Sequence, residues 1–249
     1  MKLAATCLQF DIGNSSAKWR LLRAGEIVSR GSFNPGDLAS RQALLDCTVE
    51  LEQAWVASVA APETEAALGS MLEQQWGVKA WFARTAAHGA GVTNSYANPD
   101  RMGVDRWLAM LAARRHVEGR YCVVDVGSAL TIDLVDATGV HEGGYIIPGE
   151  ALMERALQLD TDRVRFTEQI DFALNPGKST AEAVRHGIAL AQAGAVRLVL
   201  ERSGVCASGA TLFCGGGGEQ LMQLLGLDEI WAPDLVFEGL QVMAHDSSH

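Results

Sequence analysis

The sequence predicts an α/β protein made of two duplicated domains. Three observations carry that reading. An apolar strand ending in Asp-x-Gly, followed by small polar residues and a second apolar strand, occurs twice, at Cys7–Lys18 and at Tyr121–Asp133. The two copies stand nearly half the chain apart, too far for a solenoid, whose period is about 20–50 residues. Each copy is then followed by segments whose apolar spacing alternates between helix and strand. The chain has 249 residues, 48% of them hydrophobic, which gives enough length and apolar content for two cores.

In the first half, Trp19–Leu22 and Glu26–Ser29 flank Arg23-Ala24-Gly25, a hairpin signature. Leu38–Glu52 and Pro62–Trp76 read as helices, with Trp55–Val59 and Ala80–Ala83 as strands. Arg106–Val117 is a third helix, stopped before Gly119. In the second half, Thr131–Val135 and Gly143–Ile147 flank Asp136-Ala137-Thr138-Gly139. Glu150–Leu159 and Ala181–Arg202 are helical, Ala210–Cys214 is a strand, and Glu219–Leu225 is a short helix after four glycines. Trp231-Ala232-Pro233-Asp234 leads into a closing helix, Leu235–Ala244, and His245–His249 reads as a tail. The expected domains are residues 1–118 and 119–249, meeting without a low-complexity linker.

Charge and cysteine content exclude several classes. With 20 Lys+Arg against 30 Asp+Glu the formal net charge is −10. Nucleic acid and anionic membranes both demand clustered Lys/Arg, so neither is an expected partner. An anionic small substrate stays open, because a local pocket can differ from the global balance. The five cysteines are widely spaced with no Cys-x-x-Cys pair, which suits a reducing compartment, and the six His show no metal-ligand spacing. Cys122 and Cys214 sit in apolar strands as small hydrophobes. No run approaches the roughly 18 apolar residues of a membrane span, and Leu3–Cys7 has too short a preceding segment to be a signal peptide. The expected location is the cytoplasm.

Asp11-Ile12-Gly13-Asn14-Ser15-Ser16-Ala17-Lys18 is the first motif with chemistry in it. A Gly-centred turn after a strand points backbone N–H groups at phosphate oxygens. Asn14, Ser15 and Ser16 add donors, Lys18 adds positive charge, and Asp11 can hold Mg²⁺ directly or through water. The plainer alternative is a hairpin turn with solvated polar residues. A second copy weakens it, since paired phosphate-binding hairpins are how a two-lobed kinase clamps ATP. No Walker A loop is present. Gly103-Val104-Asp105-Arg106 opens a helix. There Asp105 either caps the helix or accepts a proton from a substrate hydroxyl while Arg106 grips a carboxylate. Gly143-Gly144-Tyr145-Ile146-Ile147-Pro148-Gly149 permits close backbone approach or is simply a turn. Cys214-Gly215-Gly216-Gly217-Gly218 is placed to let an adenine or ribose lie on the backbone. Ser179 or Thr180 reads as a helix cap, with Glu182 close behind.

Taken as an ordered set, these motifs resemble the type III pantothenate kinases, of the superfamily of acetate and sugar kinases, heat-shock ATPases and actin. The resemblance runs nearly end to end. It rests on Asp11-Ile12-Gly13-Asn14 with Lys18, Gly103-Val104-Asp105-Arg106-Trp107, and Asp125-Val126-Gly127 with Ala129, Thr131 and Asp133. Gly143–Gly149, Ser179-Thr180 and Pro233-Asp234-Leu235-Val236 with Gly239-Leu240 complete it. It implies two ribonuclease H-like domains, the actin-like ATPase fold, with a central nucleotide cleft. It also implies ATP-dependent phosphorylation of pantothenate to 4′-phosphopantothenate, the first step of coenzyme A biosynthesis. Asp105 would be the proton acceptor. Tyr96, Gly103, Val104, Asp105, Arg106 and Thr180 would line the pantothenate site. Asp11 to Lys18 and Ser128 would bind ATP with Mg²⁺, and Asp125 would hold a monovalent cation, K⁺ or NH₄⁺. The family forms homodimers with the substrate site at the interface. Ser128 and Ser15 stand where the family usually has Thr, keeping the hydroxyl and losing a methyl. Two other readings remain: a non-catalytic accessory or regulatory protein on the same fold, and a superfamily phosphotransferase acting on a sugar or acetate.

Overall fold

Two five-stranded sheets repeat one topology in this protein. The computed structural model describes residues 6–14, 17–34, 36–160, 164–205 and 209–246. In the first sheet, β1 (Thr6–Ile12) pairs antiparallel with β2 (Ala17–Arg23), and β2 with β3 (Glu26–Phe33). On its other edge β1 pairs parallel with β4 (Gln53–Ser58), and β4 with β5 (Ala80–Phe82). The spatial order is therefore β3-β2-β1-β4-β5. A two-stranded ribbon of β6 (His88–Gly89) and β7 (Val92–Thr93) follows. The second sheet is built the same way from β8 (Arg120–Val126), β9 (Ala129–Val135), β10 (His141–Pro148), β11 (Gly209–Cys214) and β12 (Ile230–Trp231), in the order β10-β9-β8-β11-β12. The duplication seen in the motifs is thus a duplication of sheets.

The helices are α1 (Leu38–Leu45), α2 (Pro62–Trp76), α3 (Val104–His116), α4 (Glu150–Asp160), α5 (Thr180–Ser203), α6 (Gly218–Leu225) and α7 (Leu235–Asp246). Central strands covered on both faces read as near-continuous apolar runs; β8 does so from Tyr121 to Val124, while in β1 the buried Gln9 interrupts the run. On one face of the first sheet, Leu8, Phe10 and Ile12 join Trp19, Leu21 and Val56 against Leu44 of α1 and Leu68 and Leu72 of α2. In the second, Cys122, Val124 and Val126 meet Ala193, Val196 and Leu200 of α5 and Leu221 and Leu225 of α6.

The chain divides into two compact units. One runs up to Ala112 and takes in the segment from Leu235 onward; the other is Ala113–Asp234. Relative to the expected partition at 118/119, the main difference is the closing helix. Helix α7 packs on β1 and β4 of the first sheet. There Phe237, buried, lies 4.8 Å beneath the guanidinium carbon of Arg20, which is itself buried and donates to Gln9 Oε1 at 2.7 Å. A buried cation on β2 therefore gives the last helix its docking partner.

Three local expectations change. Helix α1 stops at Leu45 instead of Glu52, because Asp46 takes the cap position and Thr48 then exchanges hydrogen bonds with Glu50 in a side-chain turn. Leu51 is buried from the loop that follows, so its apolar signal came from packing and not from helix. Helix α7 continues through His245 and Asp246, two residues expected in the tail. The ribbon β6–β7 was not foreseen. Its two-residue turn, Ala90-Gly91, has both φ positive (46° and 79°), and strands of two residues carry no periodicity to read. Cys7, Cys122 and Cys214 are buried cysteines outside any disulfide, and Cys47 is a half-buried one. No helix among the described residues is long and apolar enough to cross a membrane.

Candidate active site

In the first unit, the ends of β1 and β4 and the start of α3 bring the acidic motifs together. Asp11 is the penultimate residue of β1 and stands opposite Lys18 of β2 in the antiparallel register. The chain leaving β4 stays with β1, as Val59 N–H donates to Ile12 C=O at 3.0 Å. The segment entering α3 lies over the same place: a Cβ built on Gly103 would stand 3.6 Å from Val59 Cγ1. That Cβ would also stand 2.5 Å from Asp105 Oδ1. Only glycine at 103 lets the Asp105 carboxylate fold back over the helix start, where the exposed N–H groups favour a negative charge.

The first helical bond runs from Trp107 N–H to Gly103 C=O, so Gly103 occupies the cap and Asp105 lies inside the first turn. Asp105 Oδ1 accepts from the neighbouring Arg106 N–H at 2.7 Å. Asp11 and Asp105 are close enough to repel. Burial, and after it the Asp105 charge, pushes the Asp11 carboxyl up to about 6, with Lys18 pulling the other way. Two carboxylates held near one another, one of them desolvated, make a place for a divalent cation. Mg²⁺ takes one or two carboxylates and fills its other positions with water and phosphate oxygens. That modest demand matches what is present, since no group of three or more His, Cys, Asp or Glu converges among the described residues.

Next to Asp105, Arg106 is buried at 5% exposure and donates to the Tyr96 hydroxyl at 3.0 Å. A buried guanidinium beside a phenol is suited to a substrate carboxylate, because the planar fork offers paired donors. Several other expected ATP and substrate residues contribute differently. The side chains of Ile12, Ala17 and Val104 are buried in the core and so present no side chain to a ligand. Asn14 and Lys18 are exposed. Ser15 and Ser16 lie outside the described residues.

In the second unit, three turns converge on Asp125. This residue is the penultimate one of β8, opposite Thr131, and the turn Gly127-Ser128 follows Val126. Gly149 N–H donates to Ser128 C=O at 3.1 Å, and Gly217 N–H donates to Val126 C=O at 3.0 Å. Gly215 has φ +79°, and a Cβ there would come within 2.3 Å of Asp125 Oδ1 and 2.5 Å of Val126 O. The glycine loop thus presses its bare backbone onto the Asp125 carboxylate and a carbonyl. A carboxylate among backbone carbonyls is oxygen-only chemistry, as a hard monovalent cation requires. Ser179 is the cap of α5: its Oγ accepts from Glu182 N–H at 3.2 Å, and Glu182 Oε2 accepts from Lys178 N–H at 2.6 Å. Thr180 is left as the first helical residue, exposed at an apolar groove of about 880 Å³ between α4 and α5.

Sequence reasoning missed Thr85, Asn94 and the contact of Gly215 with Asp125. The first two are buried polar residues in the segment before α3. Their only signal in the sequence was their place just upstream of Tyr96.

The fold is that of the actin-like ATPases and sugar kinases. The chain is similar to the activator of 2-hydroxyisocaproyl-CoA dehydratase from Clostridium difficile with bound ADPNP, at TM-score 0.53 and 12% identity over 98% of this chain and 96% of that one. It is also similar to a conserved Baf family protein from Campylobacter jejuni, at TM-score 0.59 and 23% identity over 97% and 98%. These likenesses give the fold alone. Sequence gives the family: the type III pantothenate kinase family model matches residues 7–202. A type III pantothenate kinase of Hahella chejuensis is 38% identical over 240 residues, spanning 96% of this chain and 97% of the relative. The chain belongs to the type III pantothenate kinase family.

Proposed function

We propose that the protein transfers the γ-phosphoryl group of ATP to the terminal hydroxyl of pantothenate, giving ADP and 4′-phosphopantothenate, the entry to coenzyme A biosynthesis. The observation that carries this reading is the placement of Asp105, held over Gly103 beside the Arg106–Tyr96 pair and within electrostatic reach of Asp11. Arg106 and Tyr96 would bind the pantothenate carboxylate, fixing its distance from Asp105. The hydroxyl oxygen attacks γ-phosphorus in line, its proton passes to the Asp105 carboxylate, and the bond to the β–γ bridging oxygen breaks. In a loose transition state the proton leaves late, so Asp105 acts mainly by orienting the hydroxyl. The Asp11–Lys18 turn would hold the ATP phosphates through Asp11, Gly13, Asn14, the backbone of Ile12 and Ala17, and Lys18, with Ser15 and Ser16 as further donors. Ser128 would add a hydroxyl from the second hairpin. Bound Mg²⁺, held at Asp11 directly or through water, supplies charge neutralisation on the phosphates.

Asp125 would hold K⁺ or NH₄⁺, as its oxygen-lined setting against Gly215 suits. The groove between α4 and α5 exposes Leu152 and Leu157, with Thr180 at one end. A second copy of the chain covering it would give the homodimer this reading expects, with the substrate site at the interface. The cytoplasm, where ATP is abundant, is the expected location. The accessory-protein alternative gains no support, because Asp105, Arg106 and Asp125 are all retained.

The test is a coupled ADP-release assay with pantothenate, ATP and Mg²⁺, in K⁺, NH₄⁺ or Na⁺. Pantothenate-dependent turnover requiring K⁺ or NH₄⁺ is expected. Turnover indifferent to the cation would retire the role given to Asp125 alone. A folded, ATP-binding protein with no pantothenate-dependent turnover would overturn the kinase reading.

A further inference from the structure

Two polar side chains in the segment between β5 and α3 are buried and have no part in the chemistry above. Thr85 and Asn94 are each 8% exposed. Burying a polar side chain is costly unless it is hydrogen-bonded, so its partners show what it holds. Asn94 uses both ends of its amide. Its Oδ1 accepts from Tyr96 N–H at 2.9 Å, while Nδ2 donates to Ala86 C=O at 3.4 Å. Its own backbone N–H donates to Ala87 C=O at 2.9 Å. One residue therefore ties the chain leaving the β6–β7 ribbon back to the chain entering it, and fixes the backbone of Tyr96. Tyr96 in turn places its hydroxyl 3.0 Å from the buried Arg106 guanidinium. Thr85 braces the other end of the segment, donating from Oγ1 to Met102 C=O at 2.9 Å, next to Gly103.

We propose that Asn94 is a positioning residue for the acid end of the substrate, acting through Tyr96 on the Arg106 guanidinium. This rests on the reading of Arg106 and Tyr96 as the pantothenate carboxylate site. Asn94 faces backbone, so it has no direct part in phosphoryl transfer. Losing it frees the Tyr96 hydroxyl to leave Arg106 and costs binding without touching the chemical step.

Steady-state kinetics on Asn94→Ala, Asn94→Asp, Thr85→Val and Tyr96→Phe test the proposal. Asn94→Ala is expected to raise KM for pantothenate about ten-fold, the usual size for one lost buried hydrogen bond, with kcat and KM for ATP within about two-fold. Asn94→Asp keeps an oxygen for Tyr96 N–H and should recover most of the loss, so it also serves if the alanine variant folds poorly. In the Tyr96→Phe background Asn94→Ala should change KM by less than about two-fold, since the hydroxyl it positions is gone. Thr85→Val loosens the same segment at its other end and should lower the melting temperature without the selective rise in KM. An equal rise in KM for Thr85→Val, or a full ten-fold effect of Asn94→Ala on top of Tyr96→Phe, would overturn the proposal. If Tyr96→Phe and Arg106→Ala leave KM for pantothenate unchanged, the substrate reading itself falls. If those two raise it and Asn94→Ala does not, only the role of Asn94 falls.

Discussion

Replacing Asp11 by Asn should stabilise the ligand-free protein at neutral pH while abolishing its activity. The carboxyl is raised from 3.8 to about 6, by burial first and then by the Asp105 charge. A carboxylate with a raised folded-state pKa binds its proton more tightly folded than unfolded. Its stabilising contribution is therefore present below about pH 4 and is lost as pH rises through 6. Above pH 6 the ionised group imposes its full penalty, about 3 kcal/mol as an upper bound for a shift of some two units. The neutral amide of Asn escapes both the burial cost and the repulsion. At pH 8, with chelator and without nucleotide, the variant should unfold about 1–3 kcal/mol later in urea than the wild type, and at pH 4 the two should coincide. Activity should be lost, because Asp11 is the carboxylate proposed to hold Mg²⁺. An Asn variant no more stable than wild type at pH 8, or one equally stabilised at both pH values, would refute the electrostatic argument.

Three further outcomes follow from the geometry. Gly215→Ala puts a methyl within 2.3 Å of Asp125 Oδ1 at a φ of +79°. It should weaken the K⁺-over-Na⁺ stabilisation in thermal melts that the proposed cation site at Asp125 calls for, while Gly216→Ala, which has open space, should not. Phe237→Ala removes the ring under buried Arg20 and should cost about 3–5 kcal/mol, read by urea denaturation; a loss below about 1 kcal/mol would mean α7 is held elsewhere. Asp105→Asn should lower kcat by about 10²-fold or more with ATP binding kept, as calorimetry would show. An unimpaired variant would remove Asp105 from the mechanism.

The parts of this protein that were legible in its sequence are those where local chemistry and long-range packing agree. Each Asp-x-Gly turn sits between two strands whose apolar residues face a covered sheet, so the repeat announced both sheets and placed Asp11 and Asp125 at strand ends. Asp105 was legible because Gly103 and the helix start flank it. The end of α1 was not, since Cys47 and Leu51 continue an apolar spacing that the structure uses in a loop. The docking of α7 on the first sheet was hidden as well: its apolar face names no partner, and the buried Arg20–Phe237 contact joins residues more than 200 positions apart. Asn94 and Thr85 looked like ordinary loop polar residues, and only their burial and bonds distinguish them. Ile12, Ala17 and Val104 show the reverse, being residues of the functional motifs whose side chains serve the core.

The most direct test of the account is to identify the product. The protein would be incubated with γ-labelled ATP, Mg²⁺, K⁺ and pantothenate, and the reaction followed by mass spectrometry and phosphorus NMR. One labelled phosphoryl group per pantothenate is expected, on the terminal primary hydroxyl, formed in step with ADP and absent with Asp105→Asn. ADP and free phosphate in the presence of unmodified pantothenate would contradict it.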